Sequence, residues 1–283
     1  MPRIELNGSQ VAYAETGSGE TVLLLHATAN SGAQWRSLTA ALPPGCRVLA
    51  PDLYGYGETD PWTGHGPFAL AHEAALVNAV LASDDGPIHL VGHSYGGAVA
   101  LRFAVQYPGR LRSLALIEPV AFHLLKADGP DQAVRPLFGE VMEIAALVAR
   151  ANANGDYRRA MARFVDYWNG PGAWAQTKPQ LQAALARRAT KVALDFCATM
   201  TESTPQAACG RIAVPTLVLC GSRSPRPTQR IAELVADSLP AGRLQTIEGA
   251  GHMLALTHKE AVNAAVVAHL SRAMAGRLRP AAA

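Results

Sequence analysis

Pro87-Ile-His-Leu-Val-Gly-His-Ser-Tyr-Gly-Gly-Ala-Val-Ala-Leu101 begins as an apolar run and breaks at Gly92-His-Ser-Tyr-Gly96. It then continues with the helical apolar spacing of Val99, Phe103 and Val105. The pattern reads as strand, sharp turn, helix. A serine at such a turn is pushed into strained backbone, and the glycines two before and two after it let strand and helix approach closely. Gly97 and Ala98 extend that small face. Ser94 then projects its hydroxyl from the carboxyl end of a strand, beside the free N–H groups of the following helix, which is where an acyl oxyanion is stabilised. An ordinary glycine-rich turn has the same composition; the apolar strand before it and the amphipathic helix after it favour a nucleophile.

The rest of the chain fits a core built around that unit. Its 283 residues suffice for one large α/β domain or for a core with an inserted subdomain, and 49% of them are hydrophobic. The formal charge is only +3 and the basic residues are scattered, which implies neither nucleic acid nor an anionic membrane as a partner. The four cysteines, Cys46, Cys197, Cys209 and Cys220, show no metal-ligand spacing and read as buried thiols of a reducing compartment. With no apolar leader in Met1 to Gly8 and no run of membrane-spanning length, the expectation is a cytoplasmic protein. Neither metal nor cofactor is expected, and the oligomeric state is left open.

In chain order, Asn7-Gly8 between two short apolar runs signals a hairpin. Thr21 to Ala27 is a strand buried on both faces, and His26-Ala-Thr-Ala-Asn-Ser-Gly-Ala-Gln-Trp35 leads from it into a helix, with Ser31 as its cap and Trp35 as a core anchor. An acyl-transfer site needs two oxyanion donors, one after the nucleophile and one from this first loop. Those are the backbone N–H groups of Tyr95 and Thr28, with Thr28 favoured over Ala27. Asp52, at the end of the strand Arg47 to Leu53, holds the turn Tyr54-Gly-Tyr-Gly57 rather than serving as an acid. Phe68 to Leu81 has helical periodicity. Leu111 to Pro119 is another strand, ending in the acid Glu118.

From about Val120 to Gly210 the pattern is helical without strands: Leu137 to Ala151, Tyr157 to Tyr167, Lys178 to Arg188 and Lys191 to Met200. This reads as a cap, residues 120–210, inserted into a core made of 1–119 and 211–283. Phe122, with Trp168 and Trp174 flanking the turn Asn169-Gly-Pro-Gly-Ala173, is the candidate substrate-pocket lining, against the alternative of plain packing. Strands return at Val214 to Gly221 and in the stretch Leu244 to Met253, a short strand followed by a glycine-rich turn, with helices from Thr228 to Leu239 and from Lys259 to Met274. Of nine histidines, His252 in Gly249-Ala-Gly-His252 has the best context for reaching a site, while His93 is expected to be a buried hydrogen-bonding residue. Strands alternating with helices imply a mostly parallel sheet covered on both faces, with Ser94, Glu118 and His252 at its carboxyl edge.

On these motifs (His26-Ala27 with Ser31 and Trp35, Asp52 with Gly55-Tyr-Gly57, Gly92 to Gly97, and Gly249 to His252) the chain resembles the α/β-hydrolase fold with a helical cap. The resemblance implies a serine attacking a carbonyl, a histidine taking its proton and an acid orienting the histidine. Ser94 and His252 take the first two roles. Where the family usually has His-Gly the chain has His26-Ala27. Where it most often places the acid, just after the strand ending at Cys220-Gly221, the chain reads Ser222-Arg-Ser-Pro-Arg-Pro227, with no carboxylate. The acid is therefore assigned to Glu118, at the preceding strand end, a position some members of the fold use. The implied activity is hydrolysis of a carboxylic ester or thioester of a small apolar molecule. The alternatives are a C–C bond hydrolase or cofactor-free lyase, and a ligand receptor on the same fold.

Overall fold

The computed structural model describes residues 1–82, 84, 86–126 and 134–276. Its strands are β1 (Arg3–Leu6), β2 (Ser9–Gly17), β3 (Glu20–Leu25), β4 (Cys46–Pro51), β5 (Ile88–His93), β6 (Leu111–Ile117), β7 (Thr216–Gly221) and β8 (Gly242–Ile247). They form one eight-stranded sheet in the order β1-β2-β4-β3-β5-β6-β7-β8. β1 and β2 pair antiparallel through the Asn7-Gly8 turn, both of whose residues have positive φ, and β2 is antiparallel to β4. All the other pairings are parallel.

Alternation along the parallel strands makes two cores. Leu23 and Leu25 of β3 and Leu114 and Leu116 of β6 pack on one face. Val22, Leu24, Ala115 and Ile117 pack on the other. A strand buried on both faces must be apolar throughout, as these are, and each buried leucine is worth about 1.5–3 kcal/mol. Helices α1 (Arg36–Ala41), α2 (Leu70–Val80) and α3 (Tyr95–Gln106) belong to the first half of the chain. α4 (Arg135–Ala153), α5 (Tyr157–Asn169), α6 (Ala173–Gln176), α7 (Pro179–Ala186), α8 (Ala189–Thr201) and α9 (Gln206–Cys209) lie between β6 and β7. α10 (Arg226–Ser238), α11 (Leu254–Thr257) and α12 (Lys259–Ala275) complete the chain. Among the described residues no strand falls between β6 and β7, and α8 packs both on α4 and α5 and back onto α3.

β3 has β4 on one side and β5 on the other, so the winding of the sheet reverses between β3 and β5. A crevice opens at the carboxyl ends of strands where the winding reverses. The 27–30 loop leaves one of these two strands and Ser94 leaves the other.

Two local expectations are corrected. Ser31 stands at the start of the 3-10 turn Gly32–Trp35 but makes no side-chain cap: the Gln34 N–H that its hydroxyl would take donates to the Ser31 carbonyl at 3.0 Å. Cys197, on α8, is exposed, whereas Cys46, Cys209 and Cys220 are buried. Among the described residues no helix is long and apolar enough to cross a membrane.

Candidate active site

Ser94 sits at φ 55°, ψ −115°, between the last residue of β5 and the first of α3. Few non-glycine residues tolerate that region, and it is held by packing on both sides. The Ser94 N–H donates to Ile117 O at 2.9 Å, and Ser94 O accepts from Val120 N at 3.2 Å. The flanking glycines are needed for space: a Cβ on Gly92 would stand 2.3 Å from Gly96 O, and one on Gly96 2.3 Å from Leu25 O.

His252 follows β8 through the Glu248-Gly249 turn, in which Gly249 has φ +73°. Its Nε2 lies 2.9 Å from Ser94 Oγ and its Nδ1 lies 2.7 Å from Glu118 Oε2. Glu118 is fully buried, with a positive φ of 46° that turns the chain sharply off β6, and its Oε1 accepts from the Gly221 N–H at 2.6 Å. Burial pushes the Glu118 pKa up, but the hydrogen bond and charge of His252, the Gly221 N–H and the neighbouring Ser224 hydroxyl outweigh it, leaving the carboxyl below its ordinary value. The stretch after β7 thus supplies a backbone donor to an acid carried by β6. Ser224, buried there, has no hydrogen-bond partner of normal geometry for its hydroxyl.

The Ala27 N–H is taken by Gln34 Oε1 at 3.0 Å. The Thr28 and Tyr95 N–H groups have no acceptor among the described residues. Both residues line the same small cavity with Ser94, so the donors named from the sequence are the ones the structure leaves free beside the hydroxyl. Gln34 also donates through Nε2 to His93 Nδ1 at 3.0 Å, and His93 Nε2 reaches His252 O at 3.0 Å. His93 is therefore a strut between the oxyanion loop and the backbone of His252. Asp52 holds its turn as expected, accepting from the Glu58 N–H at 2.9 Å.

Two cavities meet at Ser94. The smaller, about 20 Å³, is walled by Phe122, Trp168, Phe164, Phe196 and Val192. The larger, about 410 Å³, includes His252, Leu181, Leu185, Met253 and Leu256. Trp168 lines both and lies against the His252 ring, with centroids 4.0 Å apart. Trp174, grouped with it from the sequence, lines neither of them. The turn through Gly170 and Gly172, both with positive φ, puts Ala173 at the larger cavity and leaves the Trp174 ring beneath the Arg158 guanidinium, 5.8 Å away.

Sequence reading missed Gln34, Arg188 and the buried cluster of Lys191, Asp195 and Glu73. Lys191 Nζ contacts Asp195 Oδ1 and Glu73 Oε1, the latter at 3.2 Å. Glu73 shares the apolar face of α2 with Leu70, Val77 and Val80, and a carboxylate at such a position was the one available signal. Lys191 and Asp195, four apart on a helix, look like an ordinary exposed pair.

Several histidines are buried in their neutral form: burial pushes His26 down to about 3, and His93 and His269 to about 4. An unfolded chain protonates these imidazoles below about pH 6.5, whereas the native state refuses the proton, so stability falls with falling pH by about 1.4 kcal/mol per unit for each group. Urea midpoints measured from pH 7.5 to 4.5 should decline steadily below about pH 6.5. A flat profile would contradict the burial of neutral imidazoles.

With this geometry in place, the known proteins can be compared. The family model for the alpha/beta hydrolase fold matches residues 20–259. An uncharacterized protein of Mycobacterium tuberculosis is 28% identical over 265 residues, covering 87% of this chain and 74% of its own length. The crystal structure of a hydrolase from Pseudomonas aeruginosa superposes with a TM-score of 0.76 at 26% identity, covering 95% of this chain and 97% of the other. A 2-hydroxy-6-oxo-2,4-heptadienoate hydrolase of Pseudomonas putida is 33% identical over 130 residues, 44% of this chain and 46% of that protein. The chain belongs to the α/β-hydrolase fold family.

Proposed function

We propose that the protein is a serine hydrolase that cleaves carboxylic esters or thioesters of small apolar molecules through an acyl-enzyme. The observation that carries this reading is the unbroken line from Glu118 through His252 to Ser94, at 2.7 and 2.9 Å, beside two free backbone N–H groups. Glu118 holds the His252 tautomer with its proton on Nδ1, leaving Nε2 to take the Ser94 proton as Oγ bonds to the carbonyl carbon. The carbonyl π electrons move to oxygen, where the Thr28 and Tyr95 N–H groups receive the charge. On collapse the bond to the leaving oxygen or sulfur breaks, and His252 gives that atom its proton. Water, deprotonated by His252, then attacks the acyl-enzyme, releasing the acid and restoring Ser94. Residues 120–210 act in this reading as the cap that walls the site.

The proton path assigns the two cavities. The leaving atom must face His252 Nε2, so the alcohol or thiol lies in the larger cavity, which His252 lines, and the acyl group enters the smaller one, which it does not. About 20 Å³ admits little more than a water-sized group. Against p-nitrophenyl esters of graded length, acetyl and propionyl groups are expected to turn over fastest, with hexanoyl slower by about tenfold or more. Phe122 stacks between Trp168 and Phe196, so Phe122→Ala should move the optimum to longer acyl chains. Rates independent of chain length, unchanged in that variant, would refute the cavity assignment. Absence of turnover across the panel, with ligand-induced thermal stabilisation, would favour a receptor.

A second reading, hydrolysis of a C–C bond next to a carbonyl, is supported by the likeness to the Pseudomonas putida enzyme over less than half of each chain. Loss of dienoate absorbance from a 2-hydroxy-6-oxo-dienoate, without ester turnover, would select it.

A further inference from the structure

The loop that carries Thr28 is tied to α8 at two successive residues. Thr28 Oγ1 donates to Asp195 Oδ2 at 2.8 Å. The next carbonyl, Ala29 O, accepts from Arg188 Nη1, and Arg188 is the N-cap residue immediately before α8. Ala29 needs the tether, because its φ of 59° is one that a side chain disfavours by about 1–2 kcal/mol. Asp195 is buried and fully engaged. Besides Thr28 it accepts from the Tyr56 hydroxyl at 2.6 Å and from Lys191. Lys191 lies 4.7 Å from the Tyr95 ring centroid and bonds Glu73, which in turn accepts from the Tyr95 hydroxyl at 3.2 Å. One cation and two carboxylates therefore grip the side chains of both residues whose backbone N–H groups stand free beside Ser94.

Burying three charges costs more than an apolar plug of the same volume, so packing alone does not account for the cluster. We propose that Asp195, set by Lys191 and assisted by Arg188, is a positioning residue: it holds the Thr28 N–H in register with the Tyr95 N–H, so the oxyanion pocket is complete only when α8 is docked on the core. The inference rests on the acyl-enzyme reading above. It makes the helical segment part of the catalytic geometry as well as a wall of the cavity.

Thr28→Val separates positioning from structure, because it keeps the backbone N–H and the side-chain shape while removing the tether. Misplacing a reacting group by about 1 Å can cost about 100-fold, and losing a donor outright costs about 10² to 10³. With p-nitrophenyl acetate, Thr28→Val is therefore expected to lower kcat by roughly 10- to 100-fold with KM changed less than about twofold. It should weaken a trifluoromethyl ketone, whose adduct on Ser94 is an oxyanion, by a similar factor, and leave a neutral methyl ketone unaffected. Thr28→Ser should restore most of the rate. Asp195→Asn should act in the same direction, and the double variant Thr28→Val with Asp195→Asn should be no worse than its more impaired parent, since both break one link. If Asp195→Asn fails to fold, the Thr28 pair decides by itself. Wild-type kcat and ketone affinity in Thr28→Val, or a change in melting temperature alone, would overturn the proposal while leaving the hydrolase reading intact. A wild-type protein that neither turns over esters nor is labelled at Ser94 by a fluorophosphonate would overturn both.

Discussion

Ser94→Ala should lose ester turnover by about 10⁴-fold or more, with the fold intact. Only one oxygen is removed, from a turn whose conformation is fixed by backbone bonds to Ile117 and Val120 and by the close approach of Gly92 to Gly96. Alanine inherits the strained φ of 55° at no greater cost than serine, so the melting temperature should stay near that of the wild type. His252, Glu118 and the two free N–H groups survive in the variant, and the small residual rate would come from them acting on a water molecule. Steady-state kinetics on p-nitrophenyl acetate measure the loss, and fluorophosphonate labelling with peptide mapping locates the nucleophile. Full activity in the alanine variant, or a label on another residue, would overturn the assignment.

Glu118→Gln should be nearly as damaging, by about 10⁴-fold in kcat. The Gly221 N–H at 2.6 Å demands an oxygen acceptor, so a glutamine must turn its carbonyl toward Gly221 and its NH₂ toward His252 Nδ1. Nδ1 then accepts a hydrogen bond and the proton sits on Nε2, the tautomer that cannot take the Ser94 proton. Packing should barely change, which separates this variant from one that merely unfolds. Because the carboxyl is held below its ordinary value, it stays ionised at neutral pH and keeps its charge on His252 Nδ1. Relocating the charge gives a second check. Ser224 is buried beside Glu118, its hydroxyl 2.8 Å from where a Gly221 Cβ would stand. Ser224→Asp on the Glu118→Gln background should recover part of the rate, whereas Ser224→Ala by itself should be close to normal. Wild-type kcat in Glu118→Gln would leave a Ser-His pair without its acid.

What was legible in the sequence was what depends on near neighbours. The Gly92 to Gly96 turn, the two-sided apolar runs of β3, β5, β6 and β7 and the longer helices α4, α5, α7 and α8 all carry their own periodicity, and each forms within about two residues of the expected limits; the single turn of α6, too short to show a period, was not legible. The hairpin turn Asn7-Gly8 has the positive φ values its residues advertise. The Ser31 cap failed within the turn itself, where the Gln34 N–H that the hydroxyl would take donates to the Ser31 carbonyl.

Sequence by itself determined the strand-turn-helix that bears Ser94, a mostly parallel sheet covered on both faces and the candidacy of His252 and Glu118, because hydrophobic period and turn chemistry act over a few residues. Tertiary structure decided the rest. His252 reaches Ser94 across 158 positions and Glu118 across 134, through the adjacency of β5, β6, β7 and β8. Trp168 is at the cavity and Trp174 is not, because two left-handed glycines turn the chain between them. Lys191 and Asp195 read locally as surface charges and Glu73 as a carboxylate on an apolar face; the three meet in the interior because α8 docks on α3 beside α2, where burial outweighs the Lys191 charge and holds the Glu73 carboxyl above its ordinary value.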